Sequence, residues 1–221
     1  MSGPVRERPP RILIVDDDPD IHQLLRNILG RHGYDLTSAG TAGDAFSWLQ
    51  AQPGCDLLLL DLGLPDMNGL ELLAKLRSAS LTARVIVITA DKTPDAAIHA
   101  LRQQAYDYVC KPFSPHEIEA AIERVLRSGD DPDFEVISAK PDWIEISIPC
   151  TRDAAERIEN YVRQLNSCHG LELSQEVGQV FREWVMNTVE WGRQAGFSSQ
   201  DQNRLGRRAD KTGRPVLEAA V

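Results

Sequence analysis

Residues 57–73 read LLLLDLGLPDMNGLELL, and the fold prediction rests on the pattern in this stretch. An apolar run ends abruptly at Asp61, a Leu-Pro turn follows it, and apolar residues then resume at helical spacing. A run this short and this apolar is typical of a strand that is buried on both faces of a sheet. We therefore expect a strand over 56–60, a helix over 69–77 and a carboxylate at the end of the strand.

The same alternation of apolar strand and amphipathic helix occurs five times between residues 10 and 128. Predicted strands cover 11–16, 34–39, 56–60, 85–89 and 106–110. The first predicted helix has Pro19 near its first turn and stops at His32-Gly33, and the other four cover 42–50, 69–77, 94–102 and 115–127. Such alternation predicts an α/β domain in which helices cover both faces of a parallel sheet. Right-handed crossovers would give the five-stranded, doubly wound sheet of the flavodoxin-like fold.

Polar residues stand at or just after the ends of four of these strands. Asp16 and Asp17 follow the first strand, Asp61 the third, Thr89 ends the fourth and Lys111 follows the fifth. In a doubly wound sheet the binding site lies at the carboxyl ends of the strands. We therefore expect these residues, which are distant in the sequence, to meet at one rim of the sheet.

Three carboxylates at one rim repel each other unless a cation binds, and Mg²⁺ suits them because it prefers hard oxygen ligands. Asp61 is then a candidate nucleophile, since carboxylates can form aspartyl phosphates. Lys111 would neutralise phosphoryl oxygens, and Thr89 would donate a hydrogen bond to one of them. Each residue alone has a plainer interpretation, such as a helix cap, a strand residue or a solvated lysine. Together they predict phosphoryl transfer.

The runs ILIVDDDPD, LLLLDLGLPDMNGLELL, VIVITA and YVCKPF resemble the response regulator receiver domain of two-component systems. The resemblance covers residues 10–128. It implies that Asp61 is the phospho-acceptor, that Asp16 and Asp17 are the acidic pair which binds Mg²⁺ together with Asp61, and that the Gly63 carbonyl is a further ligand.

The same resemblance implies a switch. Thr89 and Lys111 would sense the phosphoryl group, Tyr108 would be the switch aromatic, and the Lys111–Pro112 bond would be cis. The phosphoryl donor would be a sensor histidine kinase or a phosphotransfer protein. The protein would therefore be a phospho-accepting regulator that controls a C-terminal output or a partner, and not an enzyme.

The composition changes after residue 128, where 129–133 has the composition of a linker. Two short strands and two amphipathic helices are predicted beyond it, at 134–139, 143–149, 151–167 and 173–192. A smaller α+β segment over 134–193 is therefore expected to follow the receiver domain.

Residues 181–192, FREWVMNTVEWG, resemble the N-box of the GHKL ATPases, in particular the anti-sigma-factor serine kinases. The resemblance implies that Glu183 polarises a water or a substrate hydroxyl and that Asn187 holds Mg²⁺ on a nucleotide. It would make 134–193 a partial histidine-kinase-like ATPase segment, with an anti-sigma or anti-anti-sigma type partner or a homodimer as its contacts. A plain amphipathic helix is the alternative.

The ATPase resemblance ends after Gly192. The adenine-binding Asp-x-Gly-x-Gly loop and the Gly-rich phosphate lid do not follow, and residues 194–221 are polar, as in a disordered tail. We therefore expect a vestigial ATP site without ATPase or kinase activity. A frameshift or premature stop in an ancestral ATPase would account for the change.

Charge and composition weigh on the remaining alternatives. The net charge is −9, and residues 129–192 are the most acidic part, which makes nucleic acid an unlikely partner and a DNA-binding response regulator the second choice. An aspartate-nucleophile phosphatase is less favoured, because that class carries its nucleophile on the first strand. Four cysteines without C-x-x-C spacing predict free thiols, and no apolar run suits a membrane span, so a cytoplasmic location is expected.

Overall fold

The chain divides into two compact units, Met1–Gly129 and Asp130–Val221. The computed structural model describes residues 8–81, 83–91, 94–127, 135–140, 143–149, 159, 202–209 and 215–220.

The first unit contains the five strands and five helices that the sequence predicts, in the predicted order. The strands are β1 Arg11–Val15, β2 Asp35–Ala39, β3 Leu57–Leu60, β4 Arg84–Thr89 and β5 Asp107–Cys110. The helices are α1 Pro19–Leu29, α2 Ala42–Ala51, α3 Gly69–Ser78, α4 Pro94–Arg102 and α5 Pro115–Arg127, with a 3-10 turn at Gly30–His32. The strands form one parallel sheet in the order β2-β1-β3-β4-β5, so the prediction of a flavodoxin-like α/β fold is confirmed.

The register of the sheet brings the strand ends level with one another. Val15 pairs with Leu60, and the Asp61 N–H donates to the Val15 carbonyl at 2.8 Å, so Asp16 and Asp61 leave neighbouring strands side by side. In the same way Thr89 pairs with Cys110, and the Lys111 N–H donates to the Thr89 carbonyl at 2.8 Å. Backbone pairing alone therefore gathers the predicted site residues at one rim.

The sheet is buried on both faces, as its unbroken apolar runs predict. All four leucines of β3 are at most 1% exposed. One core layer packs α1 and α5 against β1, β3, β4 and β5, with residues that include Ile12, Leu25, Leu57, Ile86 and Ile122. Burying each such side chain stabilises the folded domain by about 1.5–3 kcal/mol, so the loops at the end of the sheet are attached to a rigid core.

Polar caps begin the helices that follow β1, β2 and β3. The side chains of Asp18, Thr41 and Asn68 each accept a hydrogen bond from a backbone N–H in the first turn of the next helix, at 2.8–3.0 Å. These caps place the amino ends of α1, α2 and α3 around the rim that carries the carboxylates.

The second unit contains one antiparallel sheet in the order β6-β7-β8-β9. Its strands are β6 Glu135–Lys140, β7 Trp143–Pro149, β8 Gln202–Ala209 and β9 Pro215–Ala220. β6 and β7 correspond to the two strands predicted there. The predicted helices 151–167 and 173–192 lie outside the described residues, apart from the helical Glu159, and so do Glu183 and Asn187.

β8 and β9 differ from the disordered tail predicted over 194–221. β8 pairs with β7 and β9 pairs with β8, so ladder hydrogen bonds satisfy the backbone of both strands. A polar sequence without alternation can form a strand when a partner supplies these bonds.

Two smaller predictions concern membrane spans and thiols. Among the described residues, no helix is long and apolar enough to cross a membrane. Cys55 is buried and free, in agreement with the prediction of a free thiol at this position.

Candidate functional site

Three carboxylates meet at the carboxyl ends of β1 and β3. Asp16 is 2% exposed and Asp61 is 8% exposed, while Asp17 lies at the surface. One carboxylate oxygen from each residue lies within 4.8 Å of the others. The structure therefore brings together the acidic residues that the sequence places at separate strand ends.

Lys111 provides a positive charge in the middle of this cluster. Its Nζ lies 2.6 Å from Asp16 Oδ2 and 2.6 Å from Asp61 Oδ2. Burial by itself would lower the pKa of Lys111, but the hydrogen bonds and charges of the two carboxylates raise it overall. The ammonium group therefore remains charged and links two of the three acids.

Burial raises the pKa of Asp16 above its ordinary value, although Lys111 and the Asp18 N–H act in the opposite direction. That N–H donates to Asp16 Oδ1 at 3.0 Å. His22 Nε2 lies 2.7 Å from the Asp16 carbonyl oxygen, so α1 also holds the backbone of the first loop. Asp16 is thus fixed on its side chain and on its main chain.

Asp61 is held by the loop that follows it. The Gly63 N–H donates to Asp61 Oδ1 at 3.2 Å, and the Gly69 N–H donates to the Leu62 carbonyl at 3.0 Å. A Cβ on Gly69 would lie 2.4 Å from the Asp61 carbonyl oxygen and 2.9 Å from Leu62 Cα, distances that real Cβ atoms do not adopt. Only glycine allows α3 to begin this close to Asp61.

The predicted sensing and switch residues lie on β4 and β5. The Thr89 hydroxyl oxygen accepts the Asp91 N–H at 3.1 Å, and the Tyr108 hydroxyl donates to the Asp91 carbonyl at 2.6 Å. Tyr108 is fully buried, which together with the Asp91 charge raises its pKa to about 12. One peptide segment therefore touches both side chains.

The Lys111–Pro112 bond is cis, as the resemblance implies.

Sequence reasoning did not identify Asp66 as part of this region. Asp66 Oδ1 accepts the Ala42 N–H at 2.9 Å, and Oδ2 accepts the Gly43 N–H at 2.8 Å. These two bonds lower the pKa of Asp66 below its ordinary value. A carboxylate in the β3–α3 loop therefore adds a second cap to α2, beside Thr41, and no local signal in the sequence indicates this contact.

The donor set fits a hard divalent cation. Oxygens bound to one Mg²⁺ at about 2.1 Å can be at most about 4.2 Å apart. The three carboxylate oxygens, all within 4.8 Å of one another, need only a small contraction to reach that arrangement. Asp16, Asp17 and Asp61 therefore suit Mg²⁺ in their chemistry and in their spacing.

Comparisons with known proteins agree with this geometry. Residues 12–123 match the family model of the response regulator receiver domain. The DNA-binding response regulator MtrA of Mycolicibacterium smegmatis is 32% identical over 183 residues, which cover 82% of this chain and 78% of MtrA. The alginate biosynthesis transcriptional regulatory protein AlgB of Pseudomonas aeruginosa is 38% identical over 120 residues, which cover 54% of this chain and 26% of AlgB.

Solved structures show the same fold. A CheY-like response regulator receiver domain protein from Methanospirillum hungatei is 33% identical with a TM-score of 0.51, over 53% of this chain and 94% of that one. The signal receiver domain of an HD domain-containing protein from Pseudomonas fluorescens is 30% identical with a TM-score of 0.51, over 54% and 95%. Receiver domains accept phosphoryl groups from histidine kinases and use Mg²⁺ at an acidic pocket. The chain therefore belongs to the response regulator receiver domain family and is a two-component response regulator.

Proposed function

We propose that Asp61 accepts the phosphoryl group of this regulator from the phosphohistidine of a sensor histidine kinase or a phosphotransfer protein. A carboxylate oxygen of Asp61 forms the new O–P bond while the N–P bond of the donor breaks, and its electron pair returns to the imidazole nitrogen. The supporting observation is the 2.6 Å contact of Lys111 Nζ with an Asp61 carboxylate that is grouped with Asp16 and Asp17.

The neighbours of Asp61 provide charge neutralisation and positioning, on which phosphoryl transfer depends. Asp16, Asp17, Asp61 and the Gly63 carbonyl would hold Mg²⁺, which lessens the repulsion between the carboxylate and the incoming phosphoryl oxygens. Lys111 Nζ already lies against Asp61 Oδ2, so it needs only a short movement to contact a phosphoryl oxygen. The same lysine would offset part of the negative charge of the acids before transfer and part of the charge of the phosphoryl group after it.

Phosphorylation would be transmitted through the backbone of Asp91. The Thr89 hydroxyl accepts the Asp91 N–H, so turning this hydroxyl toward a phosphoryl oxygen breaks that bond. The Asp91 carbonyl holds the Tyr108 hydroxyl, so a shift of this segment also changes the restraint on Tyr108. The face formed by α4, β4 and β5 would then signal to the second unit or to a partner.

The test is labelling of the full chain with acetyl phosphate, in the presence and absence of Mg²⁺. The wild type should be labelled only with Mg²⁺, Asp61→Asn should show no label, and Asp17→Asn should need more Mg²⁺. Asp44→Asn removes an exposed carboxylate near the start of α2 and should be labelled like the wild type. Undiminished labelling of Asp61→Asn would rule out the assignment.

DNA binding is a second candidate for the output. The alignment with MtrA spans 183 residues, so it extends beyond the first unit, which ends at Gly129. The acidity of residues 129–192 weighs against this output. Retention of the acetyl-phosphate-treated chain on DNA at moderate salt, with loss of retention in Asp61→Asn, would favour it.

The ATPase-like output remains a prediction of the sequence alone. It proposes a vestigial nucleotide site at Glu183 and Asn187, with an anti-sigma or anti-anti-sigma type protein as partner. A calorimetric titration of the full chain with ATP tests whether this segment still binds nucleotide. Micromolar binding that is lost in Asn187→Ala would support a working nucleotide site and contradict the prediction that the site is vestigial.

A further inference from the structure

The loop between β3 and α3 carries Asp61 and Gly63, and its hydrogen bonds join it to residues near and far in the sequence. Two of them are local, namely the Gly63 N–H to Asp61 Oδ1 and the Gly69 N–H to the Leu62 carbonyl. Asp66, between them, bonds instead to residues 23 and 24 positions away in the chain. The middle of the loop is therefore tied to another element of the domain through Asp66.

Asp66 reaches the first two residues of α2. Its two oxygens accept hydrogen bonds from the N–H groups of Ala42 and Gly43 at 2.9 and 2.8 Å. One carboxylate therefore satisfies two N–H groups at the start of the helix. A Cβ on Gly43 would lie 3.3 Å from Asp66 Oδ2, so the carboxylate lies close against the backbone of the helix. The negative charge also faces the positive end of the helix dipole.

The start of α2 lies beside the other half of the acidic cluster. β2 ends at Ala39, whose carbonyl accepts the Asp16 N–H at 3.2 Å, and Thr41 then caps α2. The Asp66 clamp therefore joins the loop that contains Asp61 to the chain segment that is bonded to the backbone of Asp16. It spans the site from one carboxylate to the other.

We propose that Asp66 is a positioning residue for metal binding. Its two hydrogen bonds to α2 hold the β3–α3 loop in the position in which the Gly63 carbonyl and the Asp61 carboxylate can bind the same cation as Asp16. This inference rests on the proposed function, because it assumes that these groups bind Mg²⁺. Without the clamp, the part of the loop beyond Asp61 is free to move away from the rim, while Asp61 keeps its contact with Lys111.

The test compares the full-length wild type with Asp66→Ala, Asp66→Asn and Asp44→Ala. Asp44 is the matched control, since it is an exposed acid in the first turn of α2 whose N–H is capped by Thr41 and whose removal takes the same charge from the same helix end. Mg²⁺ affinity is measured by calorimetric titration with magnesium chloride. The rate of labelling by acetyl phosphate is measured over a series of Mg²⁺ concentrations.

Asp66→Ala should bind Mg²⁺ about tenfold more weakly, as is common when a residue that orients metal ligands is removed. Asp66→Asn keeps one acceptor and should fall between Asp66→Ala and the wild type. The labelling rate at saturating Mg²⁺ should change less than about twofold in both, since the reacting groups are untouched. Asp44→Ala should match the wild type in affinity and in rate.

Equal Mg²⁺ affinity in the wild type and Asp66→Ala would overturn the inference while leaving the proposed function intact. Equal weakening in Asp66→Ala and Asp44→Ala would overturn it too, because loss of charge at the helix end would then suffice. A wild type that neither binds Mg²⁺ nor becomes labelled would instead reject the proposed function, and the positioning role with it.

Discussion

Asp61 and Lys111 are fifty residues apart in the sequence, yet Asp61 Oδ2 and Lys111 Nζ are 2.6 Å apart in the fold. The same Nζ contacts Asp16 at an equal distance, so two buried carboxylates share one ammonium group. A cation that enters this cluster competes with the lysine for the same oxygens. We therefore expect Lys111 to affect metal binding and phosphoryl transfer in opposite directions.

Replacement of the lysine, as Lys111→Met, should separate these two effects. Mg²⁺ should bind several-fold more tightly at about pH 8, because no ammonium group competes for Asp16 and Asp61. Labelling by acetyl phosphate should nevertheless become slower, because the incoming phosphoryl oxygens lose their counter-charge. Without Mg²⁺ the free energy of unfolding should fall by about 3 kcal/mol, since two buried acids lose their partner. Titration calorimetry, labelling and urea unfolding measure the three quantities.

Lys75→Met is the control for this experiment. Lys75 is an exposed lysine on α3 whose Nζ lies 3.5 Å from Met67 Sδ, so its removal changes the net charge by the same amount away from the acids. It should leave all three measurements close to those of the wild type. Weaker Mg²⁺ binding in Lys111→Met than in the wild type would contradict the competition.

The close approach of α3 to Asp61 predicts a strong effect of Gly69→Ala. The added Cβ would meet the Asp61 carbonyl oxygen and Leu62 Cα, which are backbone atoms and cannot rotate away. We expect a loss of about 2–3 kcal/mol in the free energy of unfolding and slower labelling of Asp61, because the helix must retreat. Urea unfolding and acetyl phosphate labelling test this.

Gly30→Ala makes the same change where space is open. Gly30 has helical backbone angles and no atom within 4 Å of an added Cβ. The substitution should be neutral or stabilise the protein by up to about 1 kcal/mol, through the lower entropy of the unfolded chain. If both glycine variants lose the same stability, contact with Asp61 is not the cause.

Tyr108→Phe removes the hydroxyl that holds the Asp91 carbonyl. The free energy of unfolding near neutral pH should fall by about 1 kcal/mol. The folded-state pKa of Tyr108 is raised from 10.0 to about 12, so its contribution is complete below pH 10 and is lost as the pH rises through 12. The wild type should therefore lose its advantage in stability over the variant within that interval.

Absorbance at about 295 nm provides a direct check on this tyrosine, since tyrosinate absorbs there. The chain has four tyrosines, and the ionisation of Tyr108 in the wild type should lie at about pH 12, above its ordinary pKa of 10.0. That late step should be missing in Tyr108→Phe. A late step that persists in the variant would assign the raised pKa to a different tyrosine.

The clamp between Asp66 and α2 predicts a dependence of stability on acid. The pKa of Asp66 in the folded chain lies below its ordinary value of 3.8, chiefly because the Ala42 and Gly43 N–H groups stabilise the charged carboxylate. Its contribution is present above that value and is lost as the pH falls through the lowered pKa. The wild type should be more stable than Asp66→Asn at about pH 6, and the difference should shrink toward about pH 2. Urea unfolding at both pH values measures it, and a constant difference would argue against the clamp.

Regular elements of the receiver domain follow closely from local sequence. α4 and α5 begin and end where predicted, because each helix begins at a proline and continues with apolar residues at helical spacing. β3 starts one residue later than predicted. The Asp56 carboxylate there accepts bonds from Arg8 and from the Arg11 N–H, so its side chain faces the edge of the sheet instead of the core.

Features that depend on distant partners could not be predicted in this way. Asp66 carries no local signal, because its partners are 23 and 24 residues earlier in the chain. β8 is polar, and its register depends on β7, which lies far upstream. The meeting of the site residues at the strand ends was the exception. The carboxyl ends of parallel strands lie at one rim of the sheet, so residues that follow different strands can be predicted to lie close together.

The order of strands in the sheet has a consequence for synthesis on the ribosome. β1 and β3 occupy neighbouring positions and are made early, so their acidic ends can come together while translation continues. Lys111 follows β5, the last strand of the sheet, and emerges only afterwards. A nascent chain that has reached β4 therefore holds a pair of carboxylates without its ammonium partner. Completion of the proposed acceptor site therefore coincides with closure of the sheet, and we expect an unfinished receiver to accept phosphoryl groups more slowly than a finished one.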